Sequence, residues 1–306
     1  MFENLKNRIK QPGYFFMMLN EHGFLNWIPD KIVIEKIYKY RLGKKLNLKN
    51  PTTFNEKLQW IKLYDRKKEY IRYVDKYAVR EYISNTIGED YLIPLLGVWD
   101  RAEDIDFSSL PNQFVLKCTH DSGSVVFCKD KTTFNTEKAI ESLNKHLHKS
   151  GYIHGREWPY KHVPRKIIAE KYMVDESGTE LKDYKVLCFN GIPKLIELHR
   201  GRYGAHTQDF YDVNWERTKI TQAGLSMAEN TYPKPEAFND MIQFSQKLSQ
   251  GIPHVRVDWY SINGKLFFGE LTFFDASGFD AFDNPDDDLL LGSWISLPDR
   301  KDQKEF

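Results

Sequence analysis

The spacing of apolar residues changes period along the chain. Residues 1–66 follow a helical spacing and carry many basic groups, with amphipathic stretches at Phe15–Leu19 and Ile32–Tyr40. Thr53-x-x-Glu56 is a capping box, in which the threonine and glutamate side chains each serve an unpaired N–H at the start of a helix. It opens a helix through Leu58, Trp60, Ile61 and Tyr64. A second helix is predicted over Lys68–Ser84, with Ile71, Val74, Ala78 and Tyr82 inward and Asp75, Lys76 and Arg80 on its polar side. A third spans Thr136–Ser150 with Ala139, Ile140, Leu143 and Leu147 as its stripe, capped by Asn135 or Thr136. His146 and His148 on it read as surface residues. A fourth covers Pro235–Gln250 and stops at Gly251.

Between these helices the period falls to two. Pro94 marks Tyr91–Val98 as an edge strand or extended loop. Gln113–Thr119 and Val125–Lys129 are strands around the small-residue turn His120–Ser124, and Lys166–Met173 is another. Two Asn-Gly pairs, at 190–191 and 263–264, predict tight hairpins, because both residues accept positive φ. The first joins Asp183–Asn190 to Ile192–His199, and the second joins Val255–Ser261 to Lys265–Phe273. Gly151–Pro164 reads as a binding loop rich in His, Arg and aromatic residues. Asp209–Tyr232 reads as irregular, Asp275–Gly278 and Asp283–Asp288 as acidic loops, and Lys301–Phe306 as a frayed tail.

Composition narrows the class. The chain has 306 residues, 41% hydrophobic and 14% aromatic, enough for one large or two modest domains with a substantial core. Its 44 basic and 43 acidic residues nearly cancel, which argues against a nucleic-acid partner. Cys118, Cys128 and Cys188 are sparse and form no zinc pattern, as expected of a reducing compartment. No signal peptide is evident, and no apolar run reaches the roughly 18 residues of a membrane span. A cytoplasmic location is expected. The basic stretch Lys36–Lys49 leaves contact with a lipid headgroup, an acidic glycan or a phosphate open, beside the plainer reading of a solvated helix face.

The candidate chemistry lies in the second hairpin. Arg256, Asp258 and Glu270 interrupt strands otherwise rich in Val, Trp and Phe, and buried charges of this kind are costly unless paired. With a strict two-residue turn, Asp258 lies opposite Gly269 and Glu270 points away. With a three-residue loop, Arg256 lies opposite Glu270, and Arg256, Asp258, Glu270 and Thr272 share one face. The second register makes a hard-oxygen site suited to Mg2+ carrying phosphates. The plainer alternative is a solvent face with an Arg–Glu cross-strand pair. Upstream, Lys117 precedes the Ser122-Gly123-Ser124 turn, an arrangement able to lay N–H groups and an ammonium over phosphates.

Taken in order, these parts resemble the ATP-grasp superfamily. More narrowly they resemble its TupA-like branch, linked to teichuronopeptide and capsular-polysaccharide synthesis. The residues that carry the closer likeness are LGKKLNLKNPTTFNEKLQWIKLYDR, VDKYAVREYI, YLIPLLGVWD, LPNQFVLKCTHDSGS, DYKVLCFNGIPK and VRVDWYSINGKLFFGELTF, within about residues 38–280. The resemblance implies an α+β fold in which two α+β subdomains clamp ATP, preceded by the helical region 1–66. The catalytic part would span 67–306, with a lid over about 112–172 and a metal-binding subdomain over about 173–290. Lys117 would reach the ATP phosphates, Lys76 would add a second contact, and Ser122, Gly123 and Ser124 would form the lid turn. Glu170, Lys171, Tyr172 and Met173 would be the hinge that reads adenine, and Lys185 would face the nucleotide. Asp258 and Glu270 would hold Mg2+, and Arg256 would steady the transferred phosphoryl group. Thr272 stands where the superfamily usually has asparagine, which puts a second metal in question.

The implied reaction is ATP-dependent carboxylate–amine ligation. The expected acceptor is a uronic acid or acidic amino acid, the amine an amino acid, and Arg156, Arg200 and Arg202 are candidates to bind the anionic groups. Competing readings are a sugar or small-molecule kinase on the same fold, a glycosyltransferase, and a non-catalytic nucleotide-binding scaffold. Asp286-Asp287-Asp288 matches the DxD pattern of a glycosyltransferase by letters only and reads as a solvated acidic loop.

Overall fold

The computed structural model describes residues 12–175, 181–200 and 206–299. It opens with helices α1 (Pro12–Glu21), α2 (Asp30–Leu42) and α3 (Phe54–Tyr64). The capping box forms at the head of α3, with the Thr53 hydroxyl accepting from Glu56 N and the Glu56 carboxylate accepting from Thr53 N.

The long helix expected over 68–84 is two short ones, α4 (Glu69–Val74) and α5 (Val79–Thr86). The break has a local cause. Asp75 Oδ1 accepts from the N–H groups of Tyr77 (2.8 Å) and Ala78 (3.2 Å), so its side chain holds a turn at 76–78 that interrupts the helix. The freed N–H of Lys76 donates to Thr119 O at 3.2 Å.

The first sheet contains β1 (Leu95–Trp99), β2 (Phe114–Cys118), β3 (Val126–Cys128) and β4 (Ile167–Lys171), in the order β1-β4-β2-β3 and wholly antiparallel. β1 is an edge strand, as Pro94 leads one to expect. Helix α6 (Thr136–Leu147), capped by Asn135, packs on this sheet around Phe114, Leu116, Cys118, Leu143 and Ile167. The segment expected as a loop after it contains a short helix α7 (Gly151–Gly155) and a 3-10 turn at Trp158–Lys161, with Trp158 buried.

The second sheet contains β5 (Asp183–Phe189), β6 (Ile192–Arg200), β7 (Thr207–Asp212), β8 (His254–Ile262) and β9 (Lys265–Thr272), in the order β7-β6-β5-β8-β9. Helix α8 (Phe238–Leu248) covers one face, and α9 (Pro285–Ser293) closes the described chain. The N-terminal helices share this core: Ile34, Tyr38, Phe54 and Leu58 belong to the same buried cluster as Val186, Val257 and Trp259.

Two elements depart from the sequence reading. β7 lies in the stretch expected to be irregular. Its Gln208 and Asp209 are buried but paired, with Glu197 (2.6 Å) and Arg217 (3.5 Å), and these inward polar residues hide the period of two. α9 lies where an acidic loop is expected. Asn284 caps it, Pro285 occupies its first turn, and Asp286–Asp288 sit at the positive end of its dipole. Asp288 is buried, accepts from Asn55 N at 2.9 Å and pairs with Lys44 at 3.1 Å, so it is not a solvated charge.

Candidate active site

The hairpin β8–β9 turns on two residues, Asn263 and Gly264, both at positive φ (49° and 75°), with Ile262 opposite Lys265. Neither register expected from the sequence survives along its length. Trp259 pairs with Phe268 but Val257 pairs with Leu271, so Gly269 and Glu270 together face Asp258 in a bulge. Gly269 allows this, since a Cβ there would stand 3.1 Å from Asp258 O. The extra residue puts Arg256 opposite Thr272 and turns Glu270 back onto the face of Asp258. The four side chains converge after all, by a route that a plain turn count does not reveal.

Arg256 is their centre. Its Nε and Nη2 donate to the two oxygens of Asp258 at 2.7 and 2.8 Å, and its Nη2 lies 3.3 Å from Thr272 Oγ1 and 3.6 Å from Glu270 Oε1. Its Nη1 pairs with Asp275, which immediately follows the hairpin, and stands 4.0 Å from Glu197 on β6. Lys185 on β5 lies directly opposite Asp258 and donates to it at 2.6 Å, with Asp183 at 3.0 Å. Burial works against the Asp258 carboxylate, yet Arg256 and Lys185 hold its pKa below the usual value. Burial also opposes Lys185 and Arg256, and the surrounding acids, Asp258 foremost, hold both ionised. Asp275 is pushed up to about 6 by burial, against the pull of Arg256, with Glu197 and Asp258 adding to the rise.

The first sheet supplies the facing wall. Lys117 donates to Glu170 at 2.8 Å, and Arg80 pairs with the same carboxylate at 3.4 Å. Lys171, next along β4, donates its N–H to Pro94 O at 3.0 Å, and Tyr172 packs edge-on against Phe127. Met173 continues this chain out of the strand. Lys76 bridges the two halves, donating to Asp121 O at 2.6 Å and standing 3.9 Å from Glu270 Oε2. In the turn, Ser122 and Gly123 are exposed, and Gly123 has φ 90° with open space where a side chain would go. Ser124 is buried, donating to Asp121 and accepting from Cys118 N, so it braces the turn from within.

A cleft of about 480 Å3 is lined by Lys76, Ser122, Arg256, Glu270 and Thr272 together with His146, Glu157, Tyr160 and Ser277, whereas Lys117, Lys185, Asp258 and the Glu170–Met173 segment do not line it. Glu157 and Tyr160 belong to the stretch 151–164 that the sequence marks as a binding loop, whereas nothing in the sequence places His146 and Ser277 at the site. His146 is a partner of Asp121 (2.6 Å) at the cleft, not a plain surface residue. Arg156, a candidate for substrate contact, is fully buried elsewhere. It donates to Asn20 Oδ1 (2.7 and 2.9 Å), to Leu25 O (2.9 Å) and to the Tyr152 hydroxyl, and pairs with Asp30. It fastens α7 to the N-terminal helices and leaves nothing to offer a substrate. Arg200 lies at the end of β6, its guanidinium 4.0 Å over the Tyr232 ring, and does not line the cleft. Arg202 lies outside the described residues.

Among the described residues no group of three or more His, Cys, Asp or Glu side chains is placed to hold a metal ion, but the charge of the centre favours a divalent cation. Asp183, Glu197, Asp258, Glu270 and Asp275 gather around Lys76, Lys185 and Arg256, which leaves two carboxylates in excess. The ligands at the cleft are hard oxygens, the Glu270 side chain is 41% exposed, and Mg2+ favours carboxylates that leave room for substrate phosphates.

Two mixed units, one presenting lysines and a small-residue turn and the other an Arg–Asp–Glu hairpin across a shared cleft, define an ATP-grasp enzyme. A family model described as TupA-like ATPgrasp matches residues 56–296. The chain therefore belongs to the TupA-like ATP-grasp family. Among solved structures it is similar to D-alanine–D-alanine ligase from Bacillus anthracis complexed with ATP, at 13% identity over 66% of this chain and 55% of that one, with a TM-score of 0.41. A second Bacillus anthracis structure of that ligase gives 16%, 66%, 57% and 0.40, and the Helicobacter pylori ligase gives 14%, 79%, 69% and 0.42. The chain thus spans little more than half the length of the Bacillus anthracis chains it matches. Among curated protein sequences, none matches it significantly.

Proposed function

We propose that the chain is an ATP-dependent carboxylate–amine ligase. ATP phosphorylates a carboxylate, and an amine then displaces phosphate from the acyl phosphate to form an amide. The observation that carries this reading is the convergence of Arg256, Asp258, Glu270 and Thr272, of which Arg256, Glu270 and Thr272 line a cleft together with Lys76. In this reading Lys117, Lys76 and Lys185 neutralise the ATP phosphates, and Ser122 and Gly123 close over them. The segment Glu170–Met173 forms the adenine hinge, and the Glu170 carboxylate keeps Lys117 and Arg80 in place. Asp258, Glu270 and Thr272 hold Mg2+, which when bound offsets charge on the transferring phosphoryl group. Arg256, fixed by two carboxylates, presents a preorganised cation to the same charge; stabilisation of this type is commonly the largest catalytic contribution.

The carboxylate acceptor is proposed to be a uronic acid or acidic amino acid and the amine an amino acid, in cell-surface polysaccharide synthesis of the teichuronopeptide or capsule type. Work at the inner face of the cytoplasmic membrane is part of this proposal. In support, Trp27 and Phe24 between α1 and α2 are 81% and 66% exposed, and Lys31, Lys36 and Lys39 of α2 are exposed as well. Among the described residues no helix is long and apolar enough to cross a membrane.

The test is ADP release with Mg·ATP against a matrix of uronic acids and amino acids, singly and in pairs, with Asp258→Asn as control. Turnover that needs both a carboxylate and an amine, and is lost in the variant, is the expected result. Turnover with a single sugar alone would replace the ligase by a kinase.

A further inference from the structure

The cleft also holds a polar corner, at Glu157 and Ser277, that phosphoryl transfer does not use. Glu157 follows α7, is half-buried, and lines the cleft together with Arg256, Glu270 and Thr272. Its Oε1 accepts the hydroxyl of Ser277, which belongs to the turn that follows β9 and Asp275. That turn is strained: Ala276 and Ser277, neither a glycine, have φ of 44° and 55°. Backbone held in such conformations tends to mark functional positions.

The turn is pinned from behind. Lys62 of α3 is fully buried, donates to Ser277 O at 2.7 Å and to Gln59 Oε1 at 2.9 Å, and lies 4.6 Å over the Phe279 ring. Gly155 closes the corner from the other side, since a Cβ there would stand 2.2 Å from Ser277 Oγ and 3.0 Å from the Glu157 carboxylate. The Ser277 hydroxyl thus holds the Glu157 carboxylate, with Lys62 pinning the turn behind it, while the Glu157 side chain still borders the open cleft.

The reaction proposed above needs a group of this kind. An amine reaches the site as an ammonium ion, which has no lone pair and cannot attack an acyl phosphate. We propose that the Glu157–Ser277 corner is the subsite for the amine co-substrate, where the Glu157 carboxylate binds the ammonium and takes one of its protons. The neutral amine then forms the C–N bond as the acyl carbon–oxygen bond to phosphate breaks. The second amine proton leaves with the departing phosphate, and Glu157 returns its own proton to water through the open cleft. This inference rests on the ligase reading.

The surroundings of Glu157 suit the task. Burial raises its pKa above the ordinary carboxylate value, while Lys62, the Ser277 hydroxyl and His154 oppose the rise and Asp275 adds to it. Tyr160, which also lines the cleft, is held protonated by burial and by the charges of Glu157 and Glu270; besides His154, the other ionisable groups along it are Lys76, Asp121, His146, Lys149, Arg256 and Glu270. A raised pKa makes Glu157 a stronger base than an ordinary carboxylate.

The test compares two amines with the full-length chain and Mg·ATP. Glucuronate, galacturonate, L-glutamate and L-aspartate are offered as carboxylates. Hydroxylamine, neutral at physiological pH, traps an acyl phosphate as a hydroxamate without needing a base. L-Alanine, L-glutamate and L-lysine, protonated at that pH, need one. The expected result for Glu157→Gln is a fall of about 100-fold or more in the ratio of amide to hydroxamate. The deficit should shrink as pH rises, and Glu157→Asp should recover part of the ratio. Equal loss of both products, or loss of neither, would overturn the role of Glu157 and leave the ligase reading standing. Absence of hydroxamate from the unaltered protein with every carboxylate would overturn both.

Discussion

Lys185 and Asp258 face each other directly across β5 and β8, their charged atoms 2.6 Å apart, at a position where both side chains are almost fully buried. The pair is one link in a chain from Asp183 through Lys185, Asp258 and Arg256 to Asp275. Removing one member of a buried ion pair strands its partner, at a cost of about 3–5 kcal/mol. Lys185→Met is therefore expected to lower Tm, because Asp183 loses its ammonium and Asp258 is left with Arg256. MgCl2 should restore more stability to the variant than it adds to the unaltered protein, since a divalent cation makes up the missing charge. Thermal unfolding with and without MgCl2 checks this. An equal response of both proteins would mean that the cation binds away from Asp258.

Thr272 gives a finer probe of the same centre. Its hydroxyl lies 3.3 Å from both Arg256 Nη2 and Glu270 Oε1. If it is a ligand, Thr272→Val should raise the Mg2+ concentration for half-maximal turnover by about 10-fold, within the range typical for loss of a partner at a metal site. Thr272→Asn supplies the amide that the superfamily usually carries and should lower that concentration. Identical Mg2+ dependence in all three proteins would exclude the hydroxyl from the metal shell.

Much of this site can be read from the chain, and the failures have physical causes. The Asn-Gly turns and the strands around them are visible because they depend on local backbone preference and on a period of two. The convergence of Arg256, Asp258, Glu270 and Thr272 depends on a bulge, which adds a residue without changing the composition of the hairpin. Lys62, Glu157 and Ser277 meet from three separate segments, so no sequence spacing reports them. β7 and α9 were hidden because buried Gln208, Asp209 and Asp288 look like surface residues until their partners are known.

Arg156 illustrates the opposite error, in which a promising side chain turns out to be structural. Its guanidinium is saturated by Asn20, Leu25, Tyr152 and Asp30 with no surface exposed. Arg156→Ala should destabilise the fold by about 3–5 kcal/mol, chiefly by leaving buried acceptors unpaired. At temperatures where the variant stays folded, KM for carboxylate and amine should be unchanged. A changed KM with unchanged Tm would return Arg156 to the substrate site.

The exposed aromatic pair Phe24 and Trp27 makes membrane contact testable. Aromatic side chains favour the headgroup region, and nearby lysines add attraction to anionic lipid. Co-sedimentation with phosphatidylserine-containing vesicles is expected, with little binding to pure phosphatidylcholine. Phe24→Ser with Trp27→Ser should reduce sedimentation about 10-fold, since two large apolar groups are then withheld from the interface. Equal sedimentation of the unaltered and variant proteins would remove this surface from consideration.

His254 should govern stability in acid. It opens β8, is fully buried, and packs 4.9 Å from the rings of both Phe54 and Phe189. Burial lowers its pKa from 6.5 to about 3, so the folded protein keeps it neutral. The unfolded chain takes up a proton below about pH 6.5, whereas the folded chain does so only near pH 3. Its contribution is therefore complete above pH 6.5 and is lost progressively as pH falls towards 3. By pH 4 the loss is about 3 kcal/mol, at 1.36 kcal/mol for each unit of separation. His254→Leu removes the proton uptake at the price of imperfect packing, about 1 kcal/mol. The variant should be the less stable protein at pH 7 and the more stable one at pH 4. Denaturant unfolding at the two pH values decides it: a difference of the same size at both would show that His254 is not the buried neutral group that ties this core to pH.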